Sequence, residues 1–390
     1  MSRTDDASVR IYLVGGAVRD DLLGIPVHER DWVVVGATPE QMVARGYAPC
    51  DRDFPVFRDP RSGDEYALAR RETKQGEGYR GFQVYAGPDV TLLEDLRRRD
   101  LTVNAMAQAD DGSLIDPFDG RADLDAGLLR HVSPAFEEDP VRVLRLARFA
   151  AKLGAFGFRV AHPTHRLVKL MVERGDMAYL TAERVWREMC KAMHTSQPWR
   201  FFEVLHACGA SKRLLPALAD ALGPVVPHRD QGLPAPLAAL RHAAAHTADG
   251  RVRIAATFAG CASDGRSADA LVAALRADRE TAQLLRRAAV AGDAIERAVG
   301  GDADALLDLI RLWRGLDDRT AFDAVLTVAD AQQPQSGLRE MLSLALDAVQ
   351  TVSVADLRAG GASGSALGAQ LLAARREAVV GALRAADLIT

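Results

Sequence analysis

One short stretch constrains this chain more than any other: Leu13-Val14-Gly15-Gly16-Ala17-Val18-Arg19-Asp20, followed shortly by Glu29-Arg30-Asp31-Trp32. The apolar run Ile11–Val14 predicts a buried strand that ends on a glycine pair. Without a Cβ, Gly15 and Gly16 let backbone N–H groups come close to a phosphate. A second strand is expected over Trp32–Val35, just after two acids spaced i, i+2. Alternation along a strand would point Glu29 and Asp31 to one face, where two carboxylates can share a hard cation. A phosphate-cradling turn beside a carboxylate pair is suited to magnesium-dependent phosphoryl or nucleotidyl transfer. The turn is not a Walker loop, because no Gly-Lys-Ser/Thr follows, and the Gly-x-Gly-x-x-Gly spacing of a dinucleotide site is absent.

At 390 residues, 48% hydrophobic and 26% charged, the chain is long enough for more than one domain, each with its own core. No apolar stretch reaches the length of a membrane span, and Met1–Ser8 is polar and acidic rather than signal-like. Cys50, Cys190, Cys208 and Cys261 lie far apart with no Cys-x-x-Cys, which argues against a zinc or disulfide framework and fits a reducing cytoplasm. The net charge of −4 hides an uneven distribution. Val141–Leu215 carries 14 Lys and Arg against five acids, a net +9, leaving the rest of the chain at −13. A basic stripe in an acidic protein is the footprint of a polyanion partner.

Short strands at Ile11–Val14, Trp32–Val35, Tyr66–Ala69 and Phe82–Val84 are expected to alternate with helices over Pro39–Arg45 and Glu94–Asn104. Gly76, Gly78 and Gly81 mark a mobile loop, Thr73–Gly81. From Asp139 onward only helical periodicity remains, and Pro216, Pro224, Pro227, Pro234 and Pro236 mark a break. The alanine-rich stretches Leu237–Ala245, Ala268–Leu275, Glu280–Ala291 and Leu371–Ala386 read as quiet helices. Three domains follow: an α+β head over 1–138, a helical neck over 139–215, and a helical body and tail over 216–390.

Three further clusters carry chemistry. Asp64-Glu65-Tyr66-Ala67-Leu68-Ala69-Arg70 puts an acid at a strand start; Glu65 is either a third acid beside the metals or a surface glutamate. Arg97-Arg98-Arg99-Asp100-Leu101-Thr102-Val103-Asn104 reads as a basic helix able to neutralise a triphosphate. In Glu138-Asp139-Pro140-Val141-Arg142-Val143-Leu144-Arg145-Leu146-Ala147-Arg148, Asp139 is expected to cap a helix with Pro140 in its first turn. Arg142, Arg145 and Arg148 then recur every three residues along one face.

In this order, Leu-Val-Gly-Gly-Ala-Val-Arg-Asp, Glu-Arg-Asp-Trp, Glu-Tyr-Ala-Leu-Ala-Arg, Arg-Arg-Asp-Leu-Thr-Val-Asn-Ala and Glu-Asp-Pro-Val-Arg-Val-Leu-Arg resemble the class II tRNA nucleotidyltransferases, the bacterial CCA-adding enzymes. The resemblance runs from Ile11 to about Leu215. It implies a polymerase-β-type nucleotidyltransferase head followed by an all-α neck, body and tail, and addition of C, C and A to the tRNA 3′ end from CTP and ATP. It assigns Gly16 and Arg19 to the triphosphate, Glu29 and Asp31 to Mg2+ and catalysis, and Arg99, Arg145 and Arg148 to further nucleotide contacts. Asp139 and Arg142 would read the incoming base: an aspartate accepts from the exocyclic amine that C and A share, and an arginine donates to a ring nitrogen or carbonyl. G and U would leave a desolvated group unpaired.

Two departures from the family stand out. Glu29 occupies a position that usually holds Asp, which lengthens the ligand by a methylene and is expected to change metal preference while keeping activity. None of the nine histidines is followed by Asp, so the metal-dependent phosphohydrolase activity of some relatives is not expected. Bacterial poly(A) polymerases share the head motifs but tend to end in a long basic extension, whereas this chain ends soon after Arg375-Arg376. An enzyme adding only A, and a non-catalytic RNA-binding protein on the same scaffold, are the remaining readings. No feature calls for an obligate protein partner.

Overall fold

The computed structural model describes residues 9–50, 55–74, 82–225, 232–359 and 363–389. Met1–Ser8, the glycines at 76, 78 and 81, and Pro227 lie outside the described residues. The apolar runs become strands close to where periodicity puts them: β1 (Arg10–Val14), β2 (Asp31–Val35), β5 (Glu65–Leu68) and β7 (Phe82–Tyr85). Around them lie α1 (Gly16–Leu22), α2 (Pro39–Ala44), β3 (Ala48–Pro49), β4 (Val56–Arg58), β6 (Arg71–Lys74), α3 (Leu92–Arg97), β8 (Ala107–Gln108) and β9 (Leu114–Ile115). Helix α2 starts on a reciprocal cap, Thr38 accepting from Gln41 N–H (3.3 Å) while Gln41 accepts from Thr38 N–H (2.8 Å), with Pro39 in the first turn.

Seven strands form one sheet in the order β3-β4-β5-β2-β1-β8-β9, in which only β2–β5 is parallel; β6 and β7 pair separately. The central strand β2 is buried on both faces. Val33 packs with Tyr12, Val14 and Leu96, whereas Val34 packs with Met42, Phe57 and Leu68 on the other side. Alternation puts Asp31 on the Val33 face, the face that receives α3. The register pairs Val14 with Asp31, so the Gly15–Gly16 turn leaves the sheet beside that carboxylate.

The expected helix over Glu94–Asn104 is shorter. Helix α3 ends at Arg97, and Thr102–Asn104 form a separate 3-10 turn. Asp100 turns its carboxylate back on Leu101 N–H (2.9 Å), Leu101 bridges to His131, and Leu101 and Val103 are wholly buried. A continuous helix could not bury both while keeping that carboxylate bond. Next come α4 (Gly120–Asp125), β10 (Leu128–Leu129), α5 (Val141–Leu153), β11 (Arg159–Val160) and α6 (His162–Glu173). The short parallel pair β10–β11 is an exception to the expectation of helices alone after Asp139.

By compactness the chain divides into two units, Met1–Thr181 with Glu203–Ala210, and Ala182–Phe202 with Ser211–Thr390. The proline-rich stretch from Pro216 therefore lies within the second unit, where Pro216 opens a helix. The described part of the second unit is helical, and its alanine-rich stretches are helices as expected. Five of its helices start on an aspartate whose carboxylate accepts from the first turn: Asp249, Asp264, Asp278, Asp302 and Asp318. In the core built from Ile295, Leu306, Ile310, Val325, Leu342 and Leu383, Trp313 is fully buried beside Phe322 and donates Nε1–H to Arg287 O (3.3 Å). Among the described residues, no helix is long and apolar enough to cross a membrane.

In the first unit, Gly120 lets α4 approach the Thr102–Asn104 turn. A Cβ there would stand 2.3 Å from Thr102 O and 2.8 Å from Met106 Cγ. Gly120→Ala is expected to destabilise the head by about 2 kcal/mol or more, because a backbone oxygen cannot step aside. The urea midpoint of the variant checks this, and an unchanged midpoint would refute it.

Candidate active site

The site grows from the ends of β1 and β2. Asp31 begins the central strand β2, at its open end. Glu29 lies two residues ahead of the strand, so alternation does not govern it as expected; the loop leading into β2 does. The carboxylates nevertheless interact. Desolvation raises the Asp31 carboxyl above its ordinary value, and Glu65 and Glu29 push it further up, while Arg99 and Arg145 pull it down. Both acids and both arginines therefore act on the Asp31 carboxylate electrostatically. Glu65 is in parallel register with Asp31, but its Oε1 accepts from Arg58 Nη2 at 2.9 Å. Among the described residues, no group of three or more His, Cys, Asp or Glu is gathered tightly enough to cage a metal. The hard-oxygen donors at the strand end are Glu29 and Asp31, and their mutual repulsion suits a divalent cation held by two carboxylates plus substrate oxygens.

Arg99 reaches this point because of what holds it. Asp95, fully buried on α3, accepts from Arg98 Nε (3.1 Å) and Nη2 (2.6 Å), and from Arg99 Nε (3.3 Å) and Nη2 (3.1 Å). Burial alone would raise the Asp95 carboxyl, but the two guanidiniums outweigh it and hold it below its ordinary value. The i, i+3 and i, i+4 spacing of Asp95 to Arg98 and Arg99 was the sequence signal for this contact. Arg99 also lies over the glycine turn. Gly15 has φ +70°, and a Cβ there would stand 2.9 Å from Arg99 Nη1. The missing side chain at Gly15 therefore admits an arginine.

Asp100 and Asn104 continue the network. Asp100 accepts from Arg145 Nε (2.7 Å) and Asn104 Nδ2 (3.0 Å), and Asn104 Oδ1 accepts from Arg19 Nη1. Arg19 also donates from Nε (2.8 Å) and Nη2 (2.7 Å) to Asp20 Oδ1, and Lys152 Nζ donates to Asp20 Oδ2 (2.8 Å). Only 2% of Arg19 is exposed. Expected to hold the triphosphate, its guanidinium instead faces Asp20 and Asn104 inside the head. Gly16 sits directly above, where a Cβ would be 3.5 Å from Arg19 Nη2. The guanidinium carbons of Arg19, Arg145 and Arg148 lie 5.1, 5.8 and 4.5 Å from the centre of the Phe149 ring.

The start of α5 follows the sequence. Pro140 already has helical angles, and Asp139 is extended, accepting from Val141 N–H through Oδ1 (3.1 Å) and from Arg142 N–H through its carbonyl (3.0 Å). Arg142 is buried and donates Nη1–H to Ala135 O (2.8 Å). Asp20, Asp95, Asn104, Phe149 and Lys152 were missed as site residues. Asp95 had a local spacing signal, whereas the contacts Asp100–Arg145, Asn104–Arg19 and Lys152–Asp20 join residues 45, 85 and 132 apart.

The sequence profile described as the Poly A polymerase head domain matches residues 11–130, and that described as the probable RNA and SrmB-binding site of polymerase A matches residues 157–222. The Multifunctional CCA protein of Pseudomonas putida KT2440 is 45% identical over 379 residues, 95% of this chain and 98% of that protein. The chain belongs to the bacterial CCA-adding enzymes. Another member of this family, the Multifunctional CCA protein of Nitrosococcus oceani, is 55% identical over 253 residues, 64% of this chain and 61% of that protein. The fold is that of the Thermotoga maritima CCA-adding enzyme complexed with tRNA-CCA, with a TM-score of 0.69 at 21% identity over 97% of this chain and 88% of that one. The chain is thus a class II nucleotidyltransferase with a polymerase-β-type head and an all-helical C-terminal region, as its motifs implied.

For this CCA-adding enzyme, the Asp100–Arg145 pair has a defined pH signature. Burial would raise the Asp100 carboxyl, but Arg145, Asn104 and Arg142 hold it well below its ordinary value of about 3.9. A depressed carboxylate contributes stability that is complete above its unfolded value and lost as pH falls through its folded one. Asp100→Asn is expected to cost about 2 kcal/mol, discounted because Arg145 is partly exposed. The gap from wild type should stay constant from about pH 8 to pH 5 and close only below about pH 4. Urea unfolding at several pH values measures it; a gap already closing at neutral pH would refute the assignment.

Proposed function

We propose that the protein adds C, C and A to the 3′ end of immature tRNA from CTP and ATP, releasing pyrophosphate, in the cytoplasm. The observation that carries this reading is Arg99 lying against the Gly15–Gly16 turn, which the register brings alongside Asp31, with Arg145 held on Asp100 close behind it in sequence. Carboxylates set among arginines at a glycine turn are equipped for a triphosphate and not for a neutral substrate.

Glu29 and Asp31 would hold Mg2+. Bound there, a divalent cation would supply Lewis-acid chemistry, lowering the pKa of the tRNA 3′-hydroxyl and offsetting charge on the departing pyrophosphate. Arg99, Arg145 and Arg148, with the backbone at Gly16, take the triphosphate oxygens. Arg19 acts from beneath, tying α1 to Asn104. The 3′-hydroxyl attacks the α-phosphate in line, and the arginines neutralise charge on the leaving side. Asp139 and Arg142 read the base. Anchoring Arg142 Nη1 on Ala135 O fixes the guanidinium plane, so a mismatched edge cannot be accommodated by rotation. The neck, 139–215, would grip the acceptor end through phosphates and shape, and 216–390 the rest of the tRNA.

The test uses purified protein, Mg2+ and a tRNA transcript lacking its last three nucleotides, with each labelled NTP supplied singly and in pairs. Two additions from CTP alone, and a stop at three with CTP plus ATP, are expected. Long ladders from ATP alone would identify a poly(A) polymerase, and A added only to tRNA ending in CC an A-adding enzyme. Glu29→Ala and Asp31→Ala are each expected to lower kcat by about 100-fold or more, whereas Glu29→Asp should retain activity with a shifted Mg2+/Mn2+ preference. Unchanged turnover in Glu29→Ala would remove it from the metal site.

A further inference from the structure

Phe149 is 6% exposed and has three guanidiniums around its ring, those of Arg19, Arg145 and Arg148 at 5.1, 5.8 and 4.5 Å. We infer that Phe149 is a positioning residue for nucleotide binding: its ring holds Arg145 and Arg148 in the orientation in which they meet the triphosphate, with Arg19 as the fixed support beneath. This inference rests on the reading of Arg145 and Arg148 as nucleotide contacts.

Packing alone does not require an aromatic ring here. The apolar face of α5 is otherwise aliphatic, with Val143, Leu144, Leu146 and Leu153 buried, and a leucine at 149 would continue it. Like charges within reach of one ring centre repel each other. Asp20 offsets Arg19, and Asp100 offsets Arg145, each from one side. The negative quadrupole of the ring supplies attraction that an aliphatic side chain lacks, and it acts on all three cations at once. A guanidinium lying on a ring has already shed water from that side. It therefore needs less reorganisation when phosphate oxygens arrive at its edge.

The phosphates of CTP and ATP are the same, so the effect must be equal for both nucleotides. It must also fall more on binding than on turnover, since most of the contact with the triphosphate exists before the reaction begins.

The experiment replaces Phe149 in the full-length protein with 4-fluoro-, 3,5-difluoro- and 3,4,5-trifluorophenylalanine, which drain the face of the ring of charge at nearly constant size. Steady-state addition is measured with CTP on tRNA lacking CCA and with ATP on tRNA ending in CC, beside Arg148→Ala as a reference. KM for both nucleotides is expected to rise stepwise with fluorination to about tenfold, with kcat held within about twofold and Tm unchanged. A flat KM along the series, with KM raised in Arg148→Ala, would overturn the role of the ring and leave Phe149 as packing. Flat KM in both would overturn the nucleotide reading of the arginine, and this inference with it. A fall in kcat that tracks a fall in Tm would also overturn it, because a structural defect predicts that pattern.

Discussion

A carboxylate taken out of water must be met by cations or donors that replace its hydration, and the head of this protein is arranged around two that are met in that way. Asp95 gathers Arg98 and Arg99; Asp100 gathers Arg145 and Asn104. Both carboxyls lie below their ordinary values despite burial, so attraction by their partners outweighs desolvation. Breaking either pair would leave a buried charge uncompensated. That penalty, rather than the strength of any one contact, fixes the arginines in place.

The arginines so held are the ones that face the carboxylates at the start of β2. Arg99 runs from Asp95 across the glycine turn, and Arg145 runs from Asp100 toward the same point. Arg19 closes the network from below through Asp20 and Asn104, and Lys152 joins α5 to Asp20. Helix α1, the segment that follows α3, and α5 are thereby locked together by charge, beside the apolar core on the Val33 face. Preorganisation of this kind suits a reaction whose substrate carries its charge in a triphosphate, because the groups that must neutralise it need not rearrange.

Glu29 is the carboxylate whose proposed role is least fixed by the fold. It lies in the loop ahead of β2, exposed, and the loop backbone rather than a strand sets its position. A longer side chain on a less constrained backbone can still reach a cation, and the expected consequence is a change in metal preference rather than loss of function.

Much of the architecture was determined locally and was legible in the sequence: the apolar runs of β1 and β2, the cap at Asp139, and the alanine-rich helices. Local hydrogen bonds and burial periodicity need only neighbouring residues. Motif order likewise identified the family, because the same residues recur at the same spacings. Where α3 stops, that Arg19 is buried, and which carboxylate each arginine takes were decided only by tertiary structure. Asp100 and Arg145 are 45 residues apart, Arg19 and Asn104 85, and Asp20 and Lys152 132. A sequence shows the charge on each of these residues. Only the packed head decides which charges lose their water together, and desolvation is what fixes each arginine on one carboxylate.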